Sequence, residues 1–463
     1  MSRTAASSSH FLGIRLEADQ KTYAPGDTVI GCVYRKAHAV SVRASVTISV
    51  HGRSYCEIEV RESQNQQHHT RTYHRELGFF DMTRNAQRLF EGPLHIAPDS
   101  EGQVWPFAVT IPPFIDNRGI ARDLPSCESY LPIDHEDIAT QPLPPTFWSG
   151  SDGYYTSKSF IEYYLQADLR LARDGSADVQ TSTLPLHIPG FSPEPPITDF
   201  NIRRQIFFRS VTSQRLIPGM ENAELSFAQK TQKLFRTSKV PHFYFELEVE
   251  IPTVIQLENP NAIPFRVRVK PAWDQTSEII RNLPQKVKLT SLVLELKSDT
   301  EVTCGGRFGK EHASNTHETD LQVPKALQAL GRDVFIPCTA EWPAIDIGEL
   351  INFRVRSQGR IGQRLTNIYL IYPCFTTYNI KHSHRLKWKL RVTIAGEEVK
   401  VDGQAKVIVL PPSDTNPAWT APPLETQETE SWIHPPADDE APPSFAETQK
   451  EGRASSQEGG SSY

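Results

Sequence analysis

Residues 40–52 alternate without a break. Val40, Val42, Ala44, Val46, Ile48 and Val50 are separated by Ser41, Arg43, Ser45, Thr47, Ser49 and His51. Successive side chains on a strand point to opposite faces, so a period of two over this length demands one buried face and one wet face. The same signature returns at Ile161, Tyr163, Leu165, Ala167, Leu169 and Leu171; at Phe243, Phe245, Leu247, Val249 and Ile251; at Phe265, Val267 and Val269; at Leu292, Leu294 and Leu296; and at Leu386, Trp388, Leu390, Val392 and Ile394. No long stripe of helical spacing competes with it. The chain is therefore expected to be all-β, built of antiparallel sheets each covered on one face.

Turn chemistry punctuates the pattern. Pro25 pre-sets its own φ, Gly26 can take φ > 0 and Asp27 can bond its own backbone, so Pro25-Gly26-Asp27 reads as a tight turn with a strand starting at Thr28. Before it, Leu12, Ile14 and Leu16 alternate with polar residues or glycine. Cys56, Ile58 and Val60 prolong the first long strand, after which residues 62–75 are polar and read as a loop. Residues 114–140 read as an insertion, and residues 189–196, with four prolines, as a hinge between domains. Residues 304–333 read as a polar interruption of a second β-rich block, 197–410. A length of 463 residues suits two β-sandwiches and a tail.

The order of the pieces is more specific than any one of them. After the turn come VRASVTISVHG, LFEG, WPFAVTIPP, LPPTF and a strand around IEYYLQADL. This series resembles the N-terminal domain of arrestin-like proteins, in particular the fungal arrestin-related trafficking adaptors. The second block, closing on PCFTTYNIKHSHRLKWKLRVTI, resembles the arrestin C-terminal domain more loosely. The resemblance implies two tandem antiparallel immunoglobulin-like sandwiches, 11–190 and 197–410, followed by a disordered tail, 411–463. It implies a non-catalytic cytosolic adaptor, recruited peripherally to the plasma membrane or endosomes. Such an adaptor recognises the tails of membrane transporters or receptors and brings in a WW-domain HECT-type ubiquitin ligase for endocytosis. The alternative is an arrestin-fold scaffold in vesicle trafficking or signalling that recruits no ligase.

The residues themselves give no catalytic signature. GGRFGK at residues 305–310 has three residues between its outer glycines, where a phosphate loop needs four, and Glu311 follows its lysine. His68, His69 and His74 have no carboxylate or cysteine at a recognised ligand spacing. No enzyme activity, cofactor, metal or nucleic-acid partner is expected. No apolar run reaches the ~20 residues of a membrane-spanning helix, and residues 1–10 lack a signal core, which suits the cytosol. Cys32, Cys56, Cys127, Cys304, Cys338 and Cys374 form no CxxC pair and read as reduced thiols rather than disulfides or zinc ligands.

Two features invite partners. Lys381, Arg385, Lys387, Lys389 and Arg391 fall on the polar face of the strand at 380–394, a basic stripe with alternate residues about 6.6 Å apart. It reads either as an ordinary solvated face or as a site for anionic lipid or a phosphorylated cargo tail; His382 and His384 lie on its apolar side. The tail carries ten acids against Lys450 and Arg453, hence −8 in a chain of −6, and as a tethered polyanion it could compete for the stripe. Its Pro-rich, acidic composition cannot form a core. Within it, Pro442-Pro443-Ser444-Phe445 resembles the PPxY ligand of WW domains with the tyrosine hydroxyl missing, although Pro144-Pro145-Thr146-Phe147 has the same spacing in a different setting.

Overall fold

A computed structural model describes residues 3–7, 11–17, 22–64, 67–81, 84–98, 100–115, 129–131, 141–151, 155–173, 176–192, 194–221, 240–306, 309–339, 341–357 and 370–413. Met1–Asn416 forms one compact unit; Pro417–Tyr463, the other, lies outside the described residues, as does most of the expected insertion at 114–140. The chain is mostly β, with twenty strands and two short helices, α1 (Val323–Ala329) and α2 (Ile347–Leu350), among the described residues.

The first half holds two sheets. One has the order β1 (Gly13–Leu16), β2 (Thr28–Arg35), β6 (Gln103–Thr110). The other is centred on two long antiparallel strands, β3 (Ala39–Gln64) and β8 (Tyr155–Arg173), flanked by β4 (Gln67–Gly78), β5 (Ala86–Ile96), β7 (Phe147–Ser151) and β9 (Ser176–Leu186). The turn behaves as its chemistry requires. Gly26 sits at φ 92, Asp27 N–H donates to the Ala24 carbonyl at 3.1 Å, and the Asp27 carboxylate accepts from Ala24 N–H at 2.7 Å. Strand β2 begins at Thr28 and pairs directly with β1.

The second half repeats the plan. One sheet has the order β10 (Ile202–Thr212), β11 (His242–Pro252), β13 (Arg266–Pro271), β17 (Ile345–Asp346). The other runs β12 (Val254–Gln256), β20 (Glu397–Leu410), β19 (Ile380–Ile394), β14 (Val287–Gly306), β15 (Gly309–Asp320), with β16 (Phe335–Ile336) on β14 and β18 (Phe375–Thr376) on β19. Trp388, 1% exposed, bridges the sheets, with its ring 5.5 Å from Phe207 and 6.1 Å from Phe265.

Three expectations are corrected. Val40 and Val42 are 66% and 87% exposed, because the ladder between β3 and β5 slips between Ser41 and Ala44. That bulge puts Ala39 and Ser41 inside before the alternation resumes at Ala44. Residues 62–75 are not a loop: β3 continues to Gln64 and pairs with β4 as a hairpin. Nor is the first part of residues 304–333 an interruption, since β15 pairs with β14 from Gly309 opposite Gly306 to Asp320 opposite Glu295; the break expected there is confined to residues 321–333, which hold α1. Apolar periodicity finds strands that bury a face. These polar strands are held by backbone bonds to a longer neighbour.

The long strands also join the halves. On β3 the even-numbered face buries Val46, Ile48 and Val50 within the first core, then continues to Ser54, Cys56 and Ile58. There it meets Val302 and Cys304 of β14, Tyr378, and Ile380 of β19, which belong to the same buried cluster. Strands β14 and β19 behave reciprocally. Leu292, Leu294, Leu296, Leu386, Trp388 and Leu390 lie in the second core, while Val302, Cys304 and Ile380, further along the same faces, cover the first. Strands β14 and β19 thus each serve two cores with one face. No helix among the described residues is long and apolar enough to cross a membrane.

One glycine in this packing is obligatory. Gly403 of β20 lies opposite Trp388 in register, and a Cβ there would stand 2.7 Å from the indole and 2.8 Å from Gln205 Oε1. Overpacking of this kind costs about 1–3 kcal/mol, so Gly403→Ala should lower the melting temperature by several degrees in scanning calorimetry.

Candidate functional site

The basic stripe lies on β19 as its spacing dictates, with Lys389 and Arg391 exposed and Lys381, Arg385 and Lys387 partly covered. Its neighbours were not legible from the strand alone. Arg385 donates from Nη2 (2.6 Å) and Nε (3.0 Å) to Asp299 Oδ2 of β14. Lys387 bonds Glu318 of β15, Lys389 lies 3.8 Å from Glu295, and Arg391 lies 3.7 Å from Glu398. Lys381 faces Glu301 in register, and its Nζ lies 6.0 Å from the centre of the Tyr130 ring.

These contacts arise because β14, β15 and β20 carry carboxylates on the face where β19 carries cations. Burial by itself would raise the Asp299 carboxyl; the hydrogen bond from Thr316 (2.7 Å) and the Arg385 guanidinium outweigh it and hold the group below the usual carboxylate range. Lys387 likewise holds the Glu318 carboxyl low. The face is a mosaic of paired charge, and exposed pairs of this kind each contribute about 0–1 kcal/mol.

An open cleft of about 510 Å³ runs along the mosaic, lined by Asp299, Glu301, Ser314, Thr316, Lys381, Ser383, His384, Arg385 and Lys406. Asp299 and Glu301 share the cleft with Lys381, Arg385 and Lys406, so an anion entering it meets carboxylates beside the cations. Elsewhere on the stripe, Glu318→Gln, which leaves Lys387 without its counter-ion, should raise binding to vesicles containing anionic lipid several-fold at low salt. The gain should shrink in high salt, as read by co-sedimentation. Equal binding by variant and parent would mean that the stripe does not engage membranes.

No family model matches this chain, and no curated protein matches it either. The functional reading rests on the residues and their arrangement.

The second candidate, Pro442-Pro443-Ser444-Phe445, lies outside the described residues. Its look-alike does not. Tyr163 Oη donates to the Pro144 carbonyl at 2.7 Å, Thr146 N–H donates to the Ile188 carbonyl, and Phe147 is 2% exposed. Pro144-Pro145-Thr146-Phe147 is therefore a packing element, and PPxF spacing alone carries no ligand information. Of the three histidines weighed as metal ligands, His74 lies exposed on β4, and the side chains of His68 and His69 are outside the described residues. Among the described residues no group of three His, Cys, Asp or Glu is placed to hold a metal ion.

Sequence reasoning missed a cluster between the halves. Phe147 packs edge-on against Tyr372 (4.8 Å) and Phe375 (4.9 Å) and lies 5.0 Å from His382. His382 Nδ1 is 2.9 Å from Thr300 Oγ1. His384 Nδ1 is 2.9 Å from Ser298 Oγ, and its Nε2 is 2.9 Å from the Tyr372 carbonyl. A neutral ring satisfies both contacts of His384 if Nε2–H donates to the carbonyl and Nδ1 accepts from the hydroxyl. Burial pushes the His384 imidazole down to about 4, and burial, reinforced by His384, pushes His382 well below the ordinary range. Beside them Asn379, fully buried, accepts from Ser54 Oγ at 2.7 Å and approaches Cys56 Sγ at 3.4 Å. The apolar side of β19 was legible; its cover, from the nearby Tyr372 and Phe375 and from Phe147 more than two hundred residues away, was not.

Proposed function

We propose that this chain is a non-catalytic, arrestin-like adaptor: two immunoglobulin-like sandwiches that present a surface to the cytosolic tail of a membrane transporter or receptor, with a tail that recruits a WW-domain HECT-type ubiquitin ligase. The observation that carries the reading is the shared interface. Val302, Cys304, Tyr378 and Ile380 complete the core of the other half, so two sandwiches act as one body. An adaptor needs such a body, because surfaces held in fixed register let cargo and ligase meet at a set distance. The order of sequence pieces in both halves points the same way, and the cleft on the charged face offers an anionic cargo tail or membrane surface a place to compete.

Ligase recruitment rests on Phe445. The proline pair supplies a polyproline II segment, and the phenyl ring fills the pocket that a PPxY tyrosine fills. Proximity labelling with the full chain in its native cell tests the whole reading. Plasma-membrane transporters or receptors together with a HECT-type ligase should be labelled, and Phe445→Ala should remove the ligase while leaving the cargo. Coat components without a ligase would favour the scaffold alternative. Labelling of neither cargo nor coat would end the adaptor reading.

A further inference from the structure

Cys56 and Cys304 stand opposite one another across the interface, 248 positions apart in sequence, with their sulfurs 2.8 Å apart. Cys56 projects from β3 of the first half and Cys304 from β14 of the second, and each is fully buried. The setting fixes both. Cys56 Sγ also contacts the Thr303 carbonyl at 3.3 Å and Asn379 Nδ2 at 3.4 Å, while Ile58, Val302, Tyr378 and Ile380 close the surroundings. A disulfide places its sulfurs about 2.05 Å apart, so less than 1 Å of approach separates this pair from a bond. All five described cysteines, Cys32, Cys56, Cys304, Cys338 and Cys374, are free thiols, and Cys56 and Cys304 are the two in contact with each other.

We propose that Cys56 and Cys304 are a redox modification site: oxidised, they form a disulfide that locks the two halves together. The chemistry balances with hydrogen peroxide as oxidant. One thiolate attacks the peroxide, the O–O bond breaks, and a sulfenic acid forms as water leaves. The second sulfur then attacks the sulfenic sulfur, the S–O bond breaks, a second water leaves, and the S–S bond remains. Overall, two thiols lose two electrons and two protons to one peroxide.

Burial decides when this happens. A closed interface keeps both thiols out of reach, so oxidation requires a transient opening of the halves or precedes their closure. Once formed, the bond is shielded from reductant by the same cover. Cross-linking positions so distant in the chain restricts the unfolded ensemble and holds the interface shut.

The test uses the full chain, reduced and freed of reductant. One portion is treated with hydrogen peroxide, a second is equilibrated in glutathione buffers of rising disulfide content, and a third is unfolded in urea and refolded in the same buffers. Each is then denatured, alkylated and mapped by mass spectrometry. A cross-linked peptide pair containing Cys56 and Cys304 is expected, together with a rise of several degrees in melting temperature. That rise should vanish in Cys304→Ser and when the oxidised chain is unfolded, reduced and refolded. A link made only on refolding supports the bond and shows that the closed interface excludes oxidant. Should both residues remain alkylated in all three portions, or bond to other cysteines, the proposal is overturned. Mapping of the parent chain decides this even if the serine variant does not fold.

Discussion

Val46→Asp should unfold the first half of the molecule. Val46 is fully buried on β3, opposite Phe90 on one side and Leu169 on the other, with no cation in register beside it. A carboxylate placed there must be desolvated without a partner or carry a proton, at a cost of several kcal/mol, comparable with the whole stability of a domain of this size. Because Cys56 and Ile58 of the same strand pack against the second half, the damage should spread to the interface. Near-ultraviolet circular dichroism should lose its tertiary signal, and the cooperative thermal transition should be lost. Val42→Asp is the matched control. The apolar alternation puts Val42 on the same face as Val46, but the bulge turns it outward, 87% exposed, so the charge should shift stability by no more than about 0.5 kcal/mol. Equal effects from the two substitutions would mean that the bulge is wrong.

Acid should loosen the molecule well above the pH at which carboxylates protonate. In the unfolded chain His384 takes up a proton near pH 6.5, whereas in the folded interface burial holds it down to about 4. Between those values the unfolded state binds a proton that the folded state refuses. The stability due to the neutral ring is therefore fully present above pH 6.5 and is lost as pH falls toward 4. A difference of that size is worth about 3 kcal/mol, and His382, pushed the same way, adds to it. Urea unfolding at pH 7.0, 5.5 and 4.5 should show a falling midpoint, and His384→Gln should flatten the fall. A midpoint unchanged between pH 7.0 and 4.5 would contradict the buried neutral pair.

How much of this the sequence disclosed depends on what holds each element. Strands that bury one face against a sheet, such as β11 with Phe243 to Ile251 on its inner side or β19 with its alternating lysines and leucines, are written in a period of two, and their inward residues are those expected. Strands β4 and β15 bury little of their own, and backbone bonds to β3 and β14 define them, so no side-chain period marks them. The bulge near Val42 was hidden because apolar residues continue through it. The stripe itself was legible from one strand, whereas its neutralisation by Asp299, Glu318, Glu295 and Glu398 depends on register between strands. The thiol pair was invisible for a similar reason. Cys56 and Cys304 meet only because β14 of the second half runs past its own core into that of the first, and spacing along the chain carries no trace of that.

The adaptor reading stands or falls most directly on the tail motif. A peptide spanning residues 438–450 should be titrated against WW domains of HECT-type ligases, in its native form and as Phe445→Tyr. Phenylalanine leaves the hydroxyl partner in the tyrosine pocket unpaired, a loss of about 1–3 kcal/mol, or roughly ten- to hundredfold in affinity. The expected result is weak but measurable binding by the native peptide and a gain of tenfold or more on restoring the hydroxyl. Absence of binding by both peptides would contradict ligase recruitment through Phe445.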